Sequence, residues 1–307
     1  MIATSTDHLD RETRRSQPAS GARTQRSFLL GLVGQGISGS LTPAMQEREG
    51  DAHGLRISYR ILDTARYRMG QEDLPGVLAW AERFGFDGLN ITHPFKVAVI
   101  PLLDELSSDA THLKAVNTIV FRDGRRIGHN TDWWGYGRAF RAALPDALSD
   151  RAVVVGAGGA GAAVGYALLK QGASHVTLFD VEVARAEACV SRLAQRYGKN
   201  RVTVGEDLAL ALDDARGLVN ATPIGMLGHD GIPVPEQLVR PDLWVSDVVY
   251  FPLETELVRL ARSRGCRVVP GGGMAVQQAV GAFTHFTGEV ADSDRMTAHF
   301  RELTASS

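Results

Sequence analysis

A lysine in a short polar segment is the first candidate for chemistry. Of the 33 lysines and arginines in the sequence, only Lys96 and three others are lysines. Arginine stays protonated in proteins, whereas a partly desolvated lysine can lose its proton and then accept one from a substrate hydroxyl. The carboxylate of Asp132 would orient such an ammonium if the two residues lay across one cleft. Residue types alone leave two ordinary alternatives open, a surface lysine and a helix-capping aspartate.

A glycine-rich turn between a predicted strand and a predicted helix is the second candidate. Gly156 would allow the tight turn, Gly158 the approach of a pyrophosphate, and Gly161 close helix packing. Asp180 lies 19 residues after Gly161, at the end of the next predicted strand. A carboxylate there accepts hydrogen bonds from ribose hydroxyls and repels a 2′-phosphate, which predicts NAD rather than NADP. Arg185 could also reach the ribose, or a 2′-phosphate instead.

The segments that must position these residues alternate between strands and helices. Residues 28–33, 57–62 and 88–91 are predicted strands and 73–84 a helix, an order that favours parallel pairing. We expect a further helix after Lys96 and a hairpin around an Asp-Gly turn. A second parallel sheet is predicted from apolar runs at 151–155, 176–179, 202–204, 217–220, 244–249 and 267–269.

These patterns predict an α/β fold with two domains. An N-terminal α/β substrate domain would comprise residues 28–131 and 274–307, because the C-terminal helices have no strand left to extend the second sheet and return to the first domain. A Rossmann-type dinucleotide-binding domain would comprise residues 132–273. Residues 1–27 are polar and aperiodic, so we expect a disordered N-terminal extension that is not a secretory signal.

Composition narrows the class of partner. The chain has 307 residues, is 44% hydrophobic and 22% charged, and carries a formal net charge of -2, which gives no electrostatic reason to expect nucleic acid or membrane. Two cysteines without a Cys/His cluster predict no metal site. We therefore expect a cytoplasmic protein, monomer or homodimer, that acts on a small molecule.

A series of short motifs runs in order along the chain. They are Ser40-Leu41-Thr42-Pro43, Asn90-Ile91-Thr92-His93-Pro94-Phe95-Lys96, Ala115-Val116-Asn117-Thr118, Asn130-Thr131-Asp132, the GAGGA run 156–160, the NATPIGM run 220–226, Val249-Tyr250-Phe251-Pro252 with Thr255, and the MAVQQ run 274–278. Together they resemble the shikimate dehydrogenase family over about residues 29 to 290. The resemblance is closest to its NAD-dependent quinate/shikimate dehydrogenase branch.

The resemblance implies a role for each motif. Lys96 and Asp132 would form the catalytic pair, with Lys96 accepting the proton from the ring hydroxyl that is oxidised. Ser40 and Thr42, helped by Tyr250, would hold the substrate carboxylate, and Thr92, Asn117 and Gln278 would bind ring hydroxyls. The cofactor-binding residues would be Gly156, Ala157, Gly158, Gly159, Ala160, Asp180, Arg185, Thr222, Pro223, Met226, Val248 and Gly271.

Three departures from the family pattern bear on specificity. Asp180-Val181-Glu182 stands where NADP-using members carry an Asn-Arg-Thr-like stretch, which again favours NAD. Thr42 replaces the second serine of the SxSP motif, as in the quinate/shikimate branch, and makes quinate the preferred candidate substrate. Lys114 replaces the usual glycine before Ala115, with an effect that the sequence does not give.

The resemblance thus implies an NAD-dependent oxidoreductase, a dehydrogenase that reversibly converts the ring C3 alcohol of quinate or shikimate to 3-dehydroquinate or 3-dehydroshikimate. Alternatives are an NADP-dependent biosynthetic shikimate dehydrogenase, a dehydrogenase of amino-substituted analogues, and a non-catalytic ligand-sensing paralogue. The preference among the substrates and a role in aromatic amino acid biosynthesis or quinate catabolism stay open.

Overall fold

Two separate six-stranded sheets organise the chain. The computed structural model describes residues 25–305. Most of the predicted N-terminal extension therefore lies outside the described residues. Its last residue, Ser27, begins the first strand.

The first sheet is mixed. Its strands lie in the order β2-β1-β3-β5-β6-β4, with β1 parallel to β2 and β3 and with β5 antiparallel to β3 and β6. Asp123 and Gly124 both have positive φ angles at the β5–β6 turn, as a two-residue hairpin turn requires. The predicted parallel strands and hairpin are thus confirmed. The elements are β1 (Ser27–Gly34), α1 (Thr42–Ala52), β2 (Arg56–Asp63), α2 (Thr64–Tyr67), α3 (Leu74–Arg83), β3 (Gly88–Ile91), β4 (Glu105–Leu106), α4 (Ser108–Leu113), β5 (Thr118–Arg122) and β6 (Arg125–His129).

The second sheet is parallel throughout, as predicted, and has the order β12-β11-β10-β7-β8-β9. The chain adds β8 and β9 on one side of β7 and then β10, β11 and β12 on the other, so the topological switch point lies between β7 and β10. Ligands of such sheets bind at the carboxyl ends of the strands beside that point. The elements are α5 (Asp132–Ala143), β7 (Arg151–Val155), α6 (Gly159–Gln171), β8 (His175–Phe179), α7 (Val183–Tyr197), β9 (Val202–Val204), α8 (Leu208–Asp213), β10 (Gly217–Asn220), β11 (Trp244–Asp247), α9 (Glu256–Ser263), β12 (Arg267–Val269), α10 (Gly272–Thr287) and α11 (Ser293–Ala305).

The two C-terminal helices return to the first sheet. Phe283 of α10 and Phe300 of α11 are buried in one cluster with Leu30 and Leu32 of β1. Full burial of a phenylalanine contributes roughly 1.5–3 kcal/mol, so this packing stabilises the return of the chain. The fold class is therefore confirmed. The domain boundaries at 131/132 and 273/274 stay predictions.

The predicted helix after Lys96 is wrong. Residues 97–99 form turns, and a single 3₁₀ turn follows at Ile100–Leu102. Pro101 lacks the amide hydrogen that the next α-helical bond would need, and it disfavours the helical conformation of the residue before it. Lys96 consequently lies in an irregular segment.

No helix within residues 25–305 is long and apolar enough to cross a membrane.

Candidate active site

Lys96 and Asp132 form an ion pair. The Lys96 Nζ donates to Asp132 Oδ2 at 2.5 Å, and the side chains are 21% and 7% exposed, respectively. Asp132 is the first residue of α5, and its backbone amide donates to Asn130 Oδ1 at 3.0 Å. The ammonium is thus held at the border of solvent by a carboxylate with a fixed backbone.

Asn117 occupies the other oxygen of the same carboxylate. Its Nδ2 donates to Asp132 Oδ1 and to Thr131 Oγ1, both at 2.9 Å. The amide of Val116 donates to the Lys96 carbonyl oxygen at 2.8 Å. Three sequence-predicted residues, Lys96, Asn117 and Asp132, therefore lie in one hydrogen-bonded network.

A buried asparagine that sequence reasoning missed supports this network. Asn90 of β3 donates through Nδ2 to the Asn117 carbonyl at 3.1 Å and to Thr118 Oγ1 at 3.0 Å. The Tyr59 hydroxyl donates to Asn90 Oδ1 at 2.6 Å. A polar residue inside an otherwise apolar strand was the available signal, because a buried amide needs partners.

Ser40 and Thr42 lie together at the entrance of α1. The Ser40 hydroxyl donates to Thr42 Oγ1 at 3.2 Å, and both residues are partly exposed. Within the described residues, no hydrogen bond links either hydroxyl to the Lys96–Asp132 pair. The structure therefore brings these two residues to each other but does not join them to the pair.

The preceding loop is held by Asp63, which sequence reasoning also missed. Its carboxylate accepts from the amides of Gly36 and Ile37 at 2.9 and 3.0 Å and from the Ser38 hydroxyl at 2.8 Å. Although burial raises the pKa of Asp63, these hydrogen bonds bring it below its usual value. An aspartate at a strand end before a helix was the signal, since aspartate is a preferred N-cap.

Thr92 packs directly on the end of β1. Its amide donates to the Val33 carbonyl at 2.9 Å, and its methyl carbon lies 2.3 Å from the point where a Cβ on Gly34 would stand. Only glycine at position 34 permits this approach, so β1 and the Lys96 segment are in close contact.

The glycine-rich turn has the backbone that a dinucleotide needs. Gly156 has φ +98°, and a Cβ on Gly161 would stand 1.8 Å from the Gly156 carbonyl oxygen. A Cβ on Gly158, the N-cap of α6, would meet nothing within 4 Å. The loop with Ala157 and Ala160 therefore leaves open space at a helix N-terminus, where a pyrophosphate fits.

The glycine-rich turn also faces the lysine. The Lys96 Cδ lies 3.7 Å from the position of a Cβ on Gly159. The ion pair therefore lies beside the loop of the second sheet, which the sequence could not establish.

Asp180 is enclosed, with a side chain 5% exposed. Its oxygens accept from the amides of Ala157 and Glu182 at 2.8 and 2.9 Å. Arg185 donates to Glu182 Oε1 at 2.6 Å and approaches Asp180 Oδ1 at 3.4 Å. The carboxylate thus fixes the loop, and Oδ2, which accepts one hydrogen bond within the described residues, keeps a second lone pair for another donor.

The remaining predicted cofactor residues lie after the carboxyl ends of β10, β11 and β12. Thr222 donates to Asn220 Oδ1 at 2.7 Å, and the Val248 amide donates to the Asn220 carbonyl at 3.0 Å. A Cβ on Gly271 would stand 2.3 Å from the Val249 carbonyl oxygen. These residues lie at the same edge of the sheet as Gly156. The Met226 amide donates to the Pro223 carbonyl at 3.0 Å, and Met226 is 41% exposed.

Tyr250 and Gln278 flank the start of α5. Packing around the phenol raises the pKa of Tyr250, and the Asp132 carboxylate raises it further, so the two groups interact electrostatically. The backbone nitrogen of Gln278 lies 2.5 Å from the position that a Cβ on Gly135 would occupy, so α10 packs closely against α5. The Gln278 side chain donates to the Ala275 carbonyl at 3.1 Å. Neither residue hydrogen-bonds to Lys96 within the described part of the chain.

A dinucleotide loop on one sheet and a lysine–carboxylate pair on the other define the class of protein as a two-domain α/β oxidoreductase. Residues 32–119 match the family described as Shikimate dehydrogenase substrate binding domain. The Shikimate dehydrogenase (NADP(+)) of Streptomyces avermitilis is 52% identical over 91% of this chain and 97% of its own. The chain therefore belongs to the shikimate dehydrogenase family.

Other relatives carry a different cofactor in their names. The Quinate/shikimate dehydrogenase (NAD(+)) of Corynebacterium glutamicum is 47% identical over 90% of this chain and 99% of its own. The solved structure of quinate dehydrogenase from Corynebacterium glutamicum in complex with NAD superposes with a TM-score of 0.84 at 46% identity, covering 91% of this chain and all of the other.

Proposed function

We propose that the protein is an NAD-dependent quinate/shikimate dehydrogenase. The observation that carries the proposal is the Lys96–Asp132 ion pair at 2.5 Å beside the glycine-rich turn. A base next to a dinucleotide loop is what oxidation of an alcohol requires, because the hydroxyl must lose a proton as its carbon loses a hydride.

In this proposal Lys96 first releases its ammonium proton to solvent, and the neutral amine then accepts the proton from the substrate C3 hydroxyl. Asp132 orients the lysine and stabilises its protonated form, and Asn117 holds the second carboxylate oxygen so that the carboxylate cannot rotate away. A nicotinamide dinucleotide held by the glycine-rich turn would supply the hydride acceptor. Reversal of the same steps returns the proton from Lys96 to the carbonyl oxygen of the dehydro acid.

The substrate is proposed to lie between the first sheet and the turn. Ser40, Thr42 and Tyr250 would hold its carboxylate, and Thr92, Asn117 and Gln278 its ring hydroxyls. Quinate differs from shikimate by a hydroxyl on a tetrahedral C1, and a lost buried hydrogen bond costs about 1–3 kcal/mol. A single contact can therefore decide between them, and Thr42 makes quinate our first choice.

Two features support NAD as the cofactor. The Asp180 carboxylate follows β8, where it would face the ribose, and Arg185 is paired with Glu182 at 2.6 Å and with Asp180 at 3.4 Å. The Asp180 carboxylate would therefore repel the 2′-phosphate of NADP, and the Arg185 guanidinium that could bind this phosphate is already paired. The relatives named for NAD agree with this choice.

A second candidate is an NADP-dependent shikimate dehydrogenase. The relatives at 50–52% identity carry NADP(+) in their names, and the Arg185 side chain is 46% exposed. If Arg185 exchanged Glu182 for a 2′-phosphate, it would supply the positive charge that NADP needs.

Initial rates with quinate and shikimate, each with NAD and NADP, test the proposal and separate the two candidates. Lys96→Ala should abolish turnover without loss of dinucleotide binding, whereas Lys199→Ala, at an exposed lysine, serves as the matched control. Clear preference for NADP would replace the first candidate by the second. Turnover of neither acid by the wild type would refute both and favour the amino-analogue or ligand-sensing alternative.

A further inference from the structure

A polar cluster joins α4 of the first sheet to α6 of the second. Asp109 Oδ1 accepts a hydrogen bond from the Tyr166 hydroxyl at 2.5 Å and another from Lys170 Nζ at 3.0 Å. Tyr166 is fully buried, and the Asp109 and Lys170 side chains are 27% and 36% exposed. We call Asp109, Tyr166 and Lys170 the Asp109 cluster.

The cluster also reaches the helix that carries the proposed catalytic carboxylate. Lys170 Nζ lies 3.9 Å from the centroid of the Trp133 ring, and Trp133 meets the Tyr166 ring edge-on at 5.5 Å. Trp133 directly follows Asp132 in α5. The same lysine therefore contacts the first turn of α5 and the carboxylate on α4.

Both ends of the cluster continue into the two halves of the site. Tyr166 is seven residues after Gly159 on α6, so it lies about 10 Å along a rigid helix from the glycine-rich turn. On the other side, α4 ends at Leu113 and is followed by Lys114, with φ 49°, and by Ala115, whose carbonyl accepts from Asn130. A shift of α4 would displace the segment that carries Asn117.

Close packing does not fix α4 on its cavity side. A cavity of about 340 Å³ separates it from α10 and is lined by Asp109, His129, Trp133, Thr284 and His285, among others. Side chains that border empty space have fewer contacts to hold them in place. On this side the polar bonds of Asp109 hold α4, while the buried side chains of Ala110 and Leu113 pack its other side into the core.

We propose that Asp109 is a positioning residue that sets the distance between the Lys96–Asp132 pair and the dinucleotide loop. This inference rests on the proposed dehydrogenase function. Hydride transfer needs its reacting atoms about 3–3.5 Å apart, and a displacement of about 1 Å can cost 100-fold in rate. Asp109 acts through helices and does not contact the substrate.

Steady-state kinetics of Asp109→Ala provide the first test. We expect kcat to fall at least about tenfold, KM for both substrates to change less, and the isotope effect with deuterium at C3 to rise as hydride transfer becomes rate-limiting. Asp109→Asn keeps an acceptor oxygen and should recover part of the loss. Asp146→Asn breaks an exposed ion pair to Arg267 within the dinucleotide unit and should leave all three quantities unchanged.

A distance measurement tests the cluster without activity. Spin labels on Val290→Cys, beside the first sheet, and Leu210→Cys, beside the second, report the distance between the parts of the chain built on the two sheets. Both positions are exposed, whereas Cys189 and Cys266 are buried and should not be labelled. Asp109→Ala should broaden or shift the distance distribution relative to the labelled protein with Asp109 intact. If Asp109→Ala folds poorly, Tyr166→Phe takes its place in both experiments.

Support requires both results. An unchanged distance distribution, or an unchanged kcat and isotope effect, would overturn the positioning role. Failure of the proposed function is a separate outcome, since the unsubstituted protein would then turn over neither acid while the distance measurement would still report on the cluster.

Discussion

Asp132→Asn is the substitution whose effect the structure specifies most fully. One carboxylate oxygen accepts from Lys96 at 2.5 Å and the other from Asn117 at 2.9 Å, and the side chain is 7% exposed. Asparagine has one oxygen and one amino group, so one of the two donors must face another donor. The favourable choice directs the oxygen to Lys96, because Asn117 keeps its bond to Thr131.

The magnitude follows from what is lost. An unsatisfied buried donor costs about 1–3 kcal/mol of stability, which is less than the roughly 5–15 kcal/mol that native proteins typically have. The proposed proton transfer loses the charge that stabilises the protonated lysine, and positioned acid–base groups contribute about 10²–10⁴-fold to rates. We therefore expect kcat to fall at least about 100-fold, equivalent to about 2.7 kcal/mol in the barrier.

The assay is kcat and KM for quinate and shikimate, with dinucleotide affinity measured separately by fluorescence titration. Affinity should change little, because Asp132 makes no hydrogen bond to the glycine-rich turn within residues 25–305. Asp146→Asn again serves as the control. Retention of more than about a tenth of the wild-type kcat in a folded variant would refute the assigned role of Asp132.

Three further predictions concern cofactor choice, the turn and acid stability. Asp180→Asn should lower the NAD-to-NADP ratio of kcat/KM at least about tenfold by removing a negative charge, whereas Glu187→Gln on α7, the helix that follows Asp180, should not; an unchanged ratio would exclude Asp180 as the determinant. Gly161→Ala should destabilise the fold by at least about 2 kcal/mol in urea unfolding, because its Cβ would stand 1.8 Å from the Gly156 oxygen, whereas Gly76→Ala, in open space on α3, should not; equal losses would contradict this reasoning. Burial, with smaller contributions from His285 and Arg122, lowers the pKa of His129 to about 4 in the folded protein. As the pH falls below about 6.5, His129 therefore takes up a proton in the unfolded chain before it does so in the folded protein. The free energy of unfolding should therefore decline as pH falls from 6.5 towards 4, by about 1 kcal/mol at pH 4.5 once partial exposure is discounted. That of His129→Leu should decline less. Equal losses in the wild type and the variant between pH 7 and 4.5 would contradict the assignment.

The sequence by itself determined the elements whose signals are local. β1 and β7 are apolar along most of their length because both faces of a parallel strand are covered. The Asp-Gly pair at 123–124 predicts the hairpin, because these residue types adopt the positive φ angles that a two-residue turn requires. The glycine-rich turn was equally predictable, since Gly156 and Gly161 meet requirements that no other residue satisfies. Local chemistry therefore sufficed for the fold class and for the dinucleotide loop.

Tertiary structure decided what depends on residues far apart in the chain. Lys96 and Asp132 are separated by 36 positions, and only the tertiary fold brings the first residue of α5 within hydrogen-bond distance of the Lys96 side chain. Asp180 was located correctly at its strand end, but its enclosure by two backbone amides follows from the fold of the turn around it. The Asp109 cluster gave no sequence signal at all, because single polar residues on two helices acquire a shared role only when those helices meet.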